Sequence, residues 1–216
     1  MLSVKLENVA IVVVSESNNP RLLNPDFLDR NNIVPKEWQV KGVLVTPPFA
    51  QVSYGNGVQI LLEENKLHVI SKQPDLISWE HELPGVVTSF LEVLPQVSYR
   101  SVGLNFVFLS DQPKGVEAEQ TLISEFLKQG TWLDFRQGMT GTVLEFQYRA
   151  TQPQMNVKIG VLEKRDSIGT SLEGFIFTVN FHHDFKVDET KERADYVNSV
   201  GIRRTEFMKF METLPL

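Results

Sequence analysis

The sequence contains no cysteine among its 216 residues. This absence excludes disulfide bonds, thiolate metal ligands and cysteine nucleophiles together. It also agrees with a reducing compartment, in which disulfides rarely persist. We therefore expect a cytoplasmic protein.

Long hydrophobic runs are also missing. The longest uninterrupted apolar run near the N-terminus covers residues 9–14, whereas a membrane-spanning helix needs about 20 apolar residues. No charged segment followed by an apolar core of signal-peptide length is present there. We expect no membrane-spanning segment and no membrane partner.

Basic residues do not dominate the charge. The chain has 21 Lys and Arg against 27 Asp and Glu, which gives a net charge of -6. Nucleic-acid binding depends on clustered cations that neutralise phosphates, and the densest basic run, at 201–204, is short. The sequence therefore predicts no nucleic-acid partner.

Familiar catalytic and nucleotide-binding motifs are absent. The glycine turns at 55–57 and 138–141 lack the Lys-Ser/Thr ending of a phosphate loop. There is no Gly-x-Ser-x-Gly elbow and no His-Glu-x-x-His helix. Acid–base sites also assemble from residues far apart in sequence, so an enzyme is disfavoured rather than excluded. We expect no cofactor and no metal.

The residues that are present predict one compact domain spanning 1–216. Hydrophobic residues make up 42% and charged residues 22% of the chain, which is typical of globular domains. The β-branched run within 4–15 predicts a strand buried on both faces. Asn24 and Pro25 predict the N-cap and first position of a short helix through Arg30. Further strands are predicted at 38–46, 49–54, 58–63, 67–71, 99–109, 142–149, 156–163 and 174–182, and further helices at 84–93, 117–129 and 189–212.

These elements predict an α+β fold, with an antiparallel sheet and helices packed on one face. The second half also repeats features of the first. The segment at 90–95, FLEVLP, recurs as FMETLP at 210–215, and Phe-Leu at 27–28 recurs at 126–127. We interpret this as an internal duplication with repeats 1–95 and 96–216, each ordered strand, helix, strands, helix. The alternative is one unduplicated domain with two similar helix ends.

This element order resembles the pseudo-two-fold fold of the TATA-box-binding protein, in which a saddle of antiparallel strands carries helices on its convex side. The acidic charge of the present chain disagrees with the minor-groove chemistry of that family. The final sheet and long C-terminal helix also resemble the helix-grip fold of small-molecule carriers. Both resemblances lie in element order, so they imply a fold and not a function.

Two clusters of titratable residues are candidate sites. On a strand, His182 and Asp184 would share one side while His183 points to the other, so a metal site would need a third ligand such as His68 or His81. The alternative interpretation is a polar strand end. The Glu-His-Glu run at 80–82 is a weaker candidate, since a carboxylate there also suits the first turn of a helix.

Three arginines in or beside predicted strands are further ligand-binding candidates. Arg100, Arg136 and Arg149 would each present a planar fork that suits a carboxylate or phosphate. The alternative is cross-strand pairing with carboxylates such as Glu145 and Glu163.

We therefore favour a non-enzymatic cytoplasmic binding or assembly protein. It would use the open face of its sheet, or an exposed edge, to hold a protein partner or a second copy of itself. The alternative is an enzyme or small-molecule carrier, with a cleft between the two halves or between the sheet and the C-terminal helix.

Overall fold

The computed structural model describes residues 2–110, 113, 116–139, 141–149, 153–165, 170–185 and 190–216, with side chains except at 136–137, 163–165, 170–173 and 190. Within these residues the chain forms nine strands and five α-helices. None of the described helices is long and apolar enough to cross a membrane.

All the described strands belong to one sheet, and every neighbouring pair is antiparallel. The strand order is β2-β3-β4-β5-β1-β6-β9-β8-β7, so β1 and β6 lie side by side at the centre and β2 and β7 form the edges. The strands are β1 (Val4–Ser15), β2 (Val40–Val45), β3 (Phe49–Tyr54), β4 (Val58–Glu63), β5 (Lys66–Ser71), β6 (Tyr99–Ser110), β7 (Leu144–Tyr148), β8 (Gln154–Arg165) and β9 (Thr170–Asp184).

The α-helices pack on the sheet and on each other. The second helix contacts β1 and β5, the third contacts β8 and β9, the fifth contacts β6, and the fourth packs against the second and fifth. They are α1 (Pro25–Arg30), α2 (Trp79–Val93), α3 (Val116–Phe126), α4 (Thr190–Asn198) and α5 (Val200–Met211), with 3-10 turns at Pro20–Leu22, Pro74–Leu76 and Thr131–Gln137. The prediction of an α+β fold with an antiparallel sheet is confirmed.

The core lies between this helical layer and one face of the sheet, here called the covered face. Phe207 of α5 stacks on Phe108 of β6 with ring centroids 4.7 Å apart, and Trp79 of α2 meets Phe106 edge-on at 6.1 Å. Burial alternates along the strands, as expected when only one face is packed. In β1, Val9, Ile11 and Val13 are buried, while Ala10, Val12 and Val14 are half-buried. The predicted burial of β1 on both faces is therefore only partly correct.

The first helix forms as its sequence indicates. Asn24 is the N-cap, and its side chain accepts a hydrogen bond of 2.9 Å from the Phe27 N–H. Pro25 occupies the first helical position, where its missing N–H would have had no helical partner. Leu28 is buried and fixes the helix to the core.

The second helix begins five residues earlier than predicted. Pro84 indicates a helix start because proline favours the first turn, but α2 begins at Trp79 and contains Pro84. Glu82 accepts a 2.7 Å hydrogen bond from the Ser78 N–H just before the helix, which stabilises the earlier start. The run at 80–82 is therefore helical, and its side chains do not alternate as they would on a strand.

The predicted C-terminal helix is two helices. The break lies at Ser199, whose hydroxyl and N–H both donate to the Tyr196 carbonyl, at 2.7 and 3.0 Å. A side chain that bonds the local backbone in this way competes with helix continuation. Residue 189, the predicted start, lies outside the described residues. Along this part of the chain, Val197, Phe207 and Met211 are buried, while Ala194, Phe210 and Leu214 are half-buried.

Candidate docking edge and open sheet face

The edge strand β2 is exposed along its whole length, and four of its six residues are apolar. All six of its residues are exposed, including Val43 at 49%, Leu44 at 50% and Val45 at 51%. Val43 and Val45 pair with the buried residues Val52 and Ala50, so they lie on the covered side of the sheet, and Leu44 lies on the opposite side. An exposed apolar edge strand is a template for another strand, unless it is blocked.

The hydrogen bonds of β2 show which backbone groups face outward. Thr46 donates its N–H to the Phe49 carbonyl at 2.8 Å, so these two residues form a hydrogen-bonded pair. Hydrogen-bonded and non-bonded pairs alternate along an antiparallel ladder, and the register continues one for one from Val45 to Gly42. The N–H and C=O groups of Val43 and Val45 therefore point away from β3, towards the open edge.

Both ends of this edge are closed to further pairing. A register shift between Val40 and Gly42 leaves Lys41 unpaired in a bulge, and bulges and lysines are devices that block edge pairing. At the other end, Pro47 and Pro48 have no N–H to donate. We call residues 42–45 the docking edge, because pairing is available there alone along β2.

The opposite edge, β7, carries polar side chains that oppose pairing with another strand. Gln147 donates to Glu145 at 2.8 Å, Arg149 donates to Gln147 at 2.5 Å, and Lys158 of β8 lies 3.4 Å from Glu145. Charged and polar groups along an edge strand oppose edge-to-edge association. The two edges of the sheet therefore differ, and β2 is the apolar one.

The sheet face opposite the helices, here called the open face, is polar at its centre. Asn105 of β6 is in register with Asn180 of β9, which is in register with Asn156 of β8. Asn180 donates to the Asn105 side-chain oxygen at 2.8 Å. A Cβ at the neighbouring Gly103 would lie 3.0 Å from the Asn180 amide nitrogen, so this glycine leaves the amide ladder its space.

The histidine pair lies on opposite faces, as strand alternation predicts. His182 lies on the open face, 3.1 Å from the Asp184 carboxylate. His183 lies on the covered face, where its ring stacks on Tyr196 at 4.6 Å and pairs with Glu192 at 3.1 Å. In the part of the chain that the structure describes, no three His, Asp or Glu side chains converge as a metal site.

Two of the predicted arginines, Arg100 and Arg149, lie apart in the sheet. Arg100 pairs with Glu16 next to the central strands, whereas Arg149 follows β7 at the edge, with β9 and β8 between them. Arg136 lies in the 3-10 turn Thr131–Gln137, and its side chain is outside the described part. The alternative interpretation, pairing with a carboxylate across strands, describes Arg100, whereas Arg149 contacts Gln147 two residues before it.

Burial shifts the pKa values of several titratable groups. The pKa of His68, on the open face, is lowered by burial, although the nearby Glu63 carboxylate acts in the opposite direction. Burial raises the pKa of Tyr54 to about 12, and Asp29 adds to this rise. Burial likewise raises the pKa of Tyr99 to about 12, with the Arg193 guanidinium opposing the change.

Sequence reasoning named an exposed edge but not which strand forms it. Nothing in the run at 43–45 itself identifies this strand, because its place at the edge depends on pairings between strands that are distant in sequence. Sequence reasoning also did not identify Arg193, which lines a pocket between α2 and α4. Comparison with models of known protein families and with curated proteins finds no match for this chain.

Proposed function

We propose that this protein is a non-enzymatic assembly protein whose docking edge pairs with the docking edge of a second copy. The observation that carries the proposal is the fully exposed apolar strand β2, with outward backbone groups at Val43 and Val45. Strand addition at a sheet edge obtains affinity from main-chain hydrogen bonds and specificity from alternate side chains.

The docking edge is complementary to itself. In an antiparallel dimer with Leu44 on the two-fold axis, Val43 of one copy is opposite Val45 of the other. Every outward N–H of one copy then meets an outward C=O of its partner. The two Leu44 side chains form a close non-bonded pair on one side, and the valines pair on the other. An isologous interface requires this self-complementarity.

We also propose that repeats 1–95 and 96–216 arose by duplication, with an arrangement like that of the TATA-box-binding protein. The strand order supports this, because β3, β4, β5 and β1 run to the centre as β7, β8, β9 and β6 do. In this comparison β2 has no counterpart among the strands that the structure describes, and the 3-10 turn Thr131–Gln137 occupies the corresponding stretch of the second half. The strand added to one repeat alone is the one that carries the docking edge.

The experiment is to measure oligomeric state by native mass spectrometry and sedimentation. We expect a concentration-dependent dimer for the wild type and a monomer for Val43→Pro, because proline removes an outward donor while the β2–β3 bonds remain. Leu44→Lys is also expected to be monomeric, since two ammonium groups would meet on the two-fold axis.

Two control variants distinguish the loss of pairing at the docking edge from general effects of substitution. Val43→Thr keeps the backbone donor and the β-branched shape, so it should retain most of the dimer. Tyr148→Lys changes an exposed residue on the opposite edge and should not affect dimerisation. A wild-type monomer at high concentration, or a dimer that survives both Val43→Pro and Leu44→Lys, would exclude self-pairing through β2.

A further inference from the structure

A pocket between α2 and α4 contains an arginine with which no carboxylate of the described residues forms an ion pair. The pocket has a volume of about 210 Å³, which is below the range of about 300–1,000 Å³ that is usual for drug-sized ligands. It lies between helices, apart from the docking edge. Its lining residues are Thr88, Leu91, Glu92, Pro95, Arg193 and Ala194.

Two aromatic rings hold the Arg193 guanidinium. Its central carbon lies 5.7 Å from the ring centroid of Tyr99 and 5.7 Å from that of Phe185. A guanidinium stacks well on aromatic faces, which fixes the plane of its donor fork. The arginine is therefore positioned before any ligand arrives.

Arg193 carries its charge in a half-buried position. Within the described residues no carboxylate pairs with it, and its buried Nε has no hydrogen-bond partner. Half-buried guanidinium groups usually have a paired anion, because desolvating an unpaired charge is costly. Glu92 also lines the pocket, but it is exposed at the rim.

We propose that this pocket binds a small carboxylate with an apolar body. The carboxylate would accept hydrogen bonds from the planar fork of Arg193, and the body would contact Leu91, Pro95 and Ala194. The same chemistry is offered by a free short-chain acid and by the C-terminal residue of a peptide. The site joins one helix from each half of the chain, as the small-molecule alternative requires.

The test measures the binding of four probes to the full chain by ligand-observed NMR and calorimetry. The probes are 3-methylbutanoate, its amide, N-acetyl-leucine and N-acetyl-leucinamide. We expect at least one acid to bind saturably with a dissociation constant below about 10 mM, and its amide to bind about tenfold more weakly. Tighter binding of 3-methylbutanoate identifies a free acid as the ligand, and tighter binding of N-acetyl-leucine identifies a C-terminal residue.

Three variants test the assignment to Arg193. Arg193→Gln should weaken the acid by about tenfold or more, with folding checked by circular dichroism. Lys191→Gln, an exposed cation on the same helix, is the matched control and should bind like the wild type. Glu92→Gln removes an exposed like charge at the rim and should tighten binding. Equal binding of acid and amide, no saturable binding of either acid, or weaker binding by Glu92→Gln would overturn the proposal.

Discussion

His68 lies in an environment that opposes its protonation. Its side chain is 21% exposed on the open face, and its Nε2 lies 3.6 Å from the Glu63 carboxylate. Burial lowers its pKa from 6.5 more than Glu63 raises it, and Lys66 adds to the lowering. The folded state therefore favours the neutral imidazole.

The resulting pH dependence has a defined sign. Because the pKa of His68 is lower in the folded state, the unfolded chain binds more protons as the pH falls below about 6.5. We expect the free energy of unfolding to decrease as the pH falls from about 7.5 to about 5.5, and to decrease less in His68→Gln. Denaturant titrations at several pH values measure this. His81→Gln, at an exposed position, controls for loss of an imidazole. A His68 ring that titrates above 6.5 by NMR would contradict the assignment.

At the level of single residues, the sequence predicted the orientation of side chains better than their interaction partners. The opposite orientations of His182 and His183 follow from strand alternation alone. The pairing of Arg100 with Glu16 depends on β6 lying beside β1, and nothing local to either residue indicates this contact. Arg193 was missed for the same reason, since its aromatic neighbours come from other elements.

Strand β9 depends on one glycine for its path past β6. Gly174 has φ +132°, and a Cβ there would collide with the backbone carbonyl of Ser110. The next residue, Phe175, donates its N–H to the Ser110 hydroxyl at 3.0 Å. We expect Gly174→Ala to destabilise the protein by about 2 kcal/mol or more, through backbone strain and this collision.

The control for this substitution is on the neighbouring strand. Gly160 of β8 is also buried, but a Cβ there would meet Val143 at 3.5 Å, an ordinary contact. Gly160→Ala should therefore change stability by less than about 1 kcal/mol. Chemical denaturation of both variants compares them directly. Equal losses would mean that the backbone at Gly174 is not specially constrained.

The bounds of strands and helices were predicted correctly where local chemistry determines them. Strands β3 and β4 have the predicted bounds, because turn residues flank both. The start of α2 was wrong because proline indicates a helix start only when no better cap lies upstream, and Ser78 with Glu82 supplies one. The break at Ser199 depends on hydroxyl geometry that periodicity does not record.

For the whole molecule, the class of fold could be predicted but the position of each strand could not. Alternation and turn spacing predict an antiparallel sheet. The pairing of β1 with β6 at its centre is a contact between distant residues, and it places β2 at an edge. The candidate docking edge follows from this long-range arrangement, so the exposure of residues 42–45 was not predictable from their own sequence.

One aromatic residue of α5 packs against two neighbouring strands near the centre of the sheet, β6 and β9. Phe207 is fully buried, with ring centroids 4.7 Å from Phe108 and 6.1 Å from Phe177. Phe207→Ala should destabilise the protein by about 3–5 kcal/mol through lost burial and a residual cavity. Phe210, half-buried against Phe146 of β7, is the control and should cost less when replaced by alanine. Denaturant unfolding followed by tryptophan fluorescence measures both. A larger loss for Phe210→Ala would place the principal attachment of α5 at the edge of the sheet rather than at its centre.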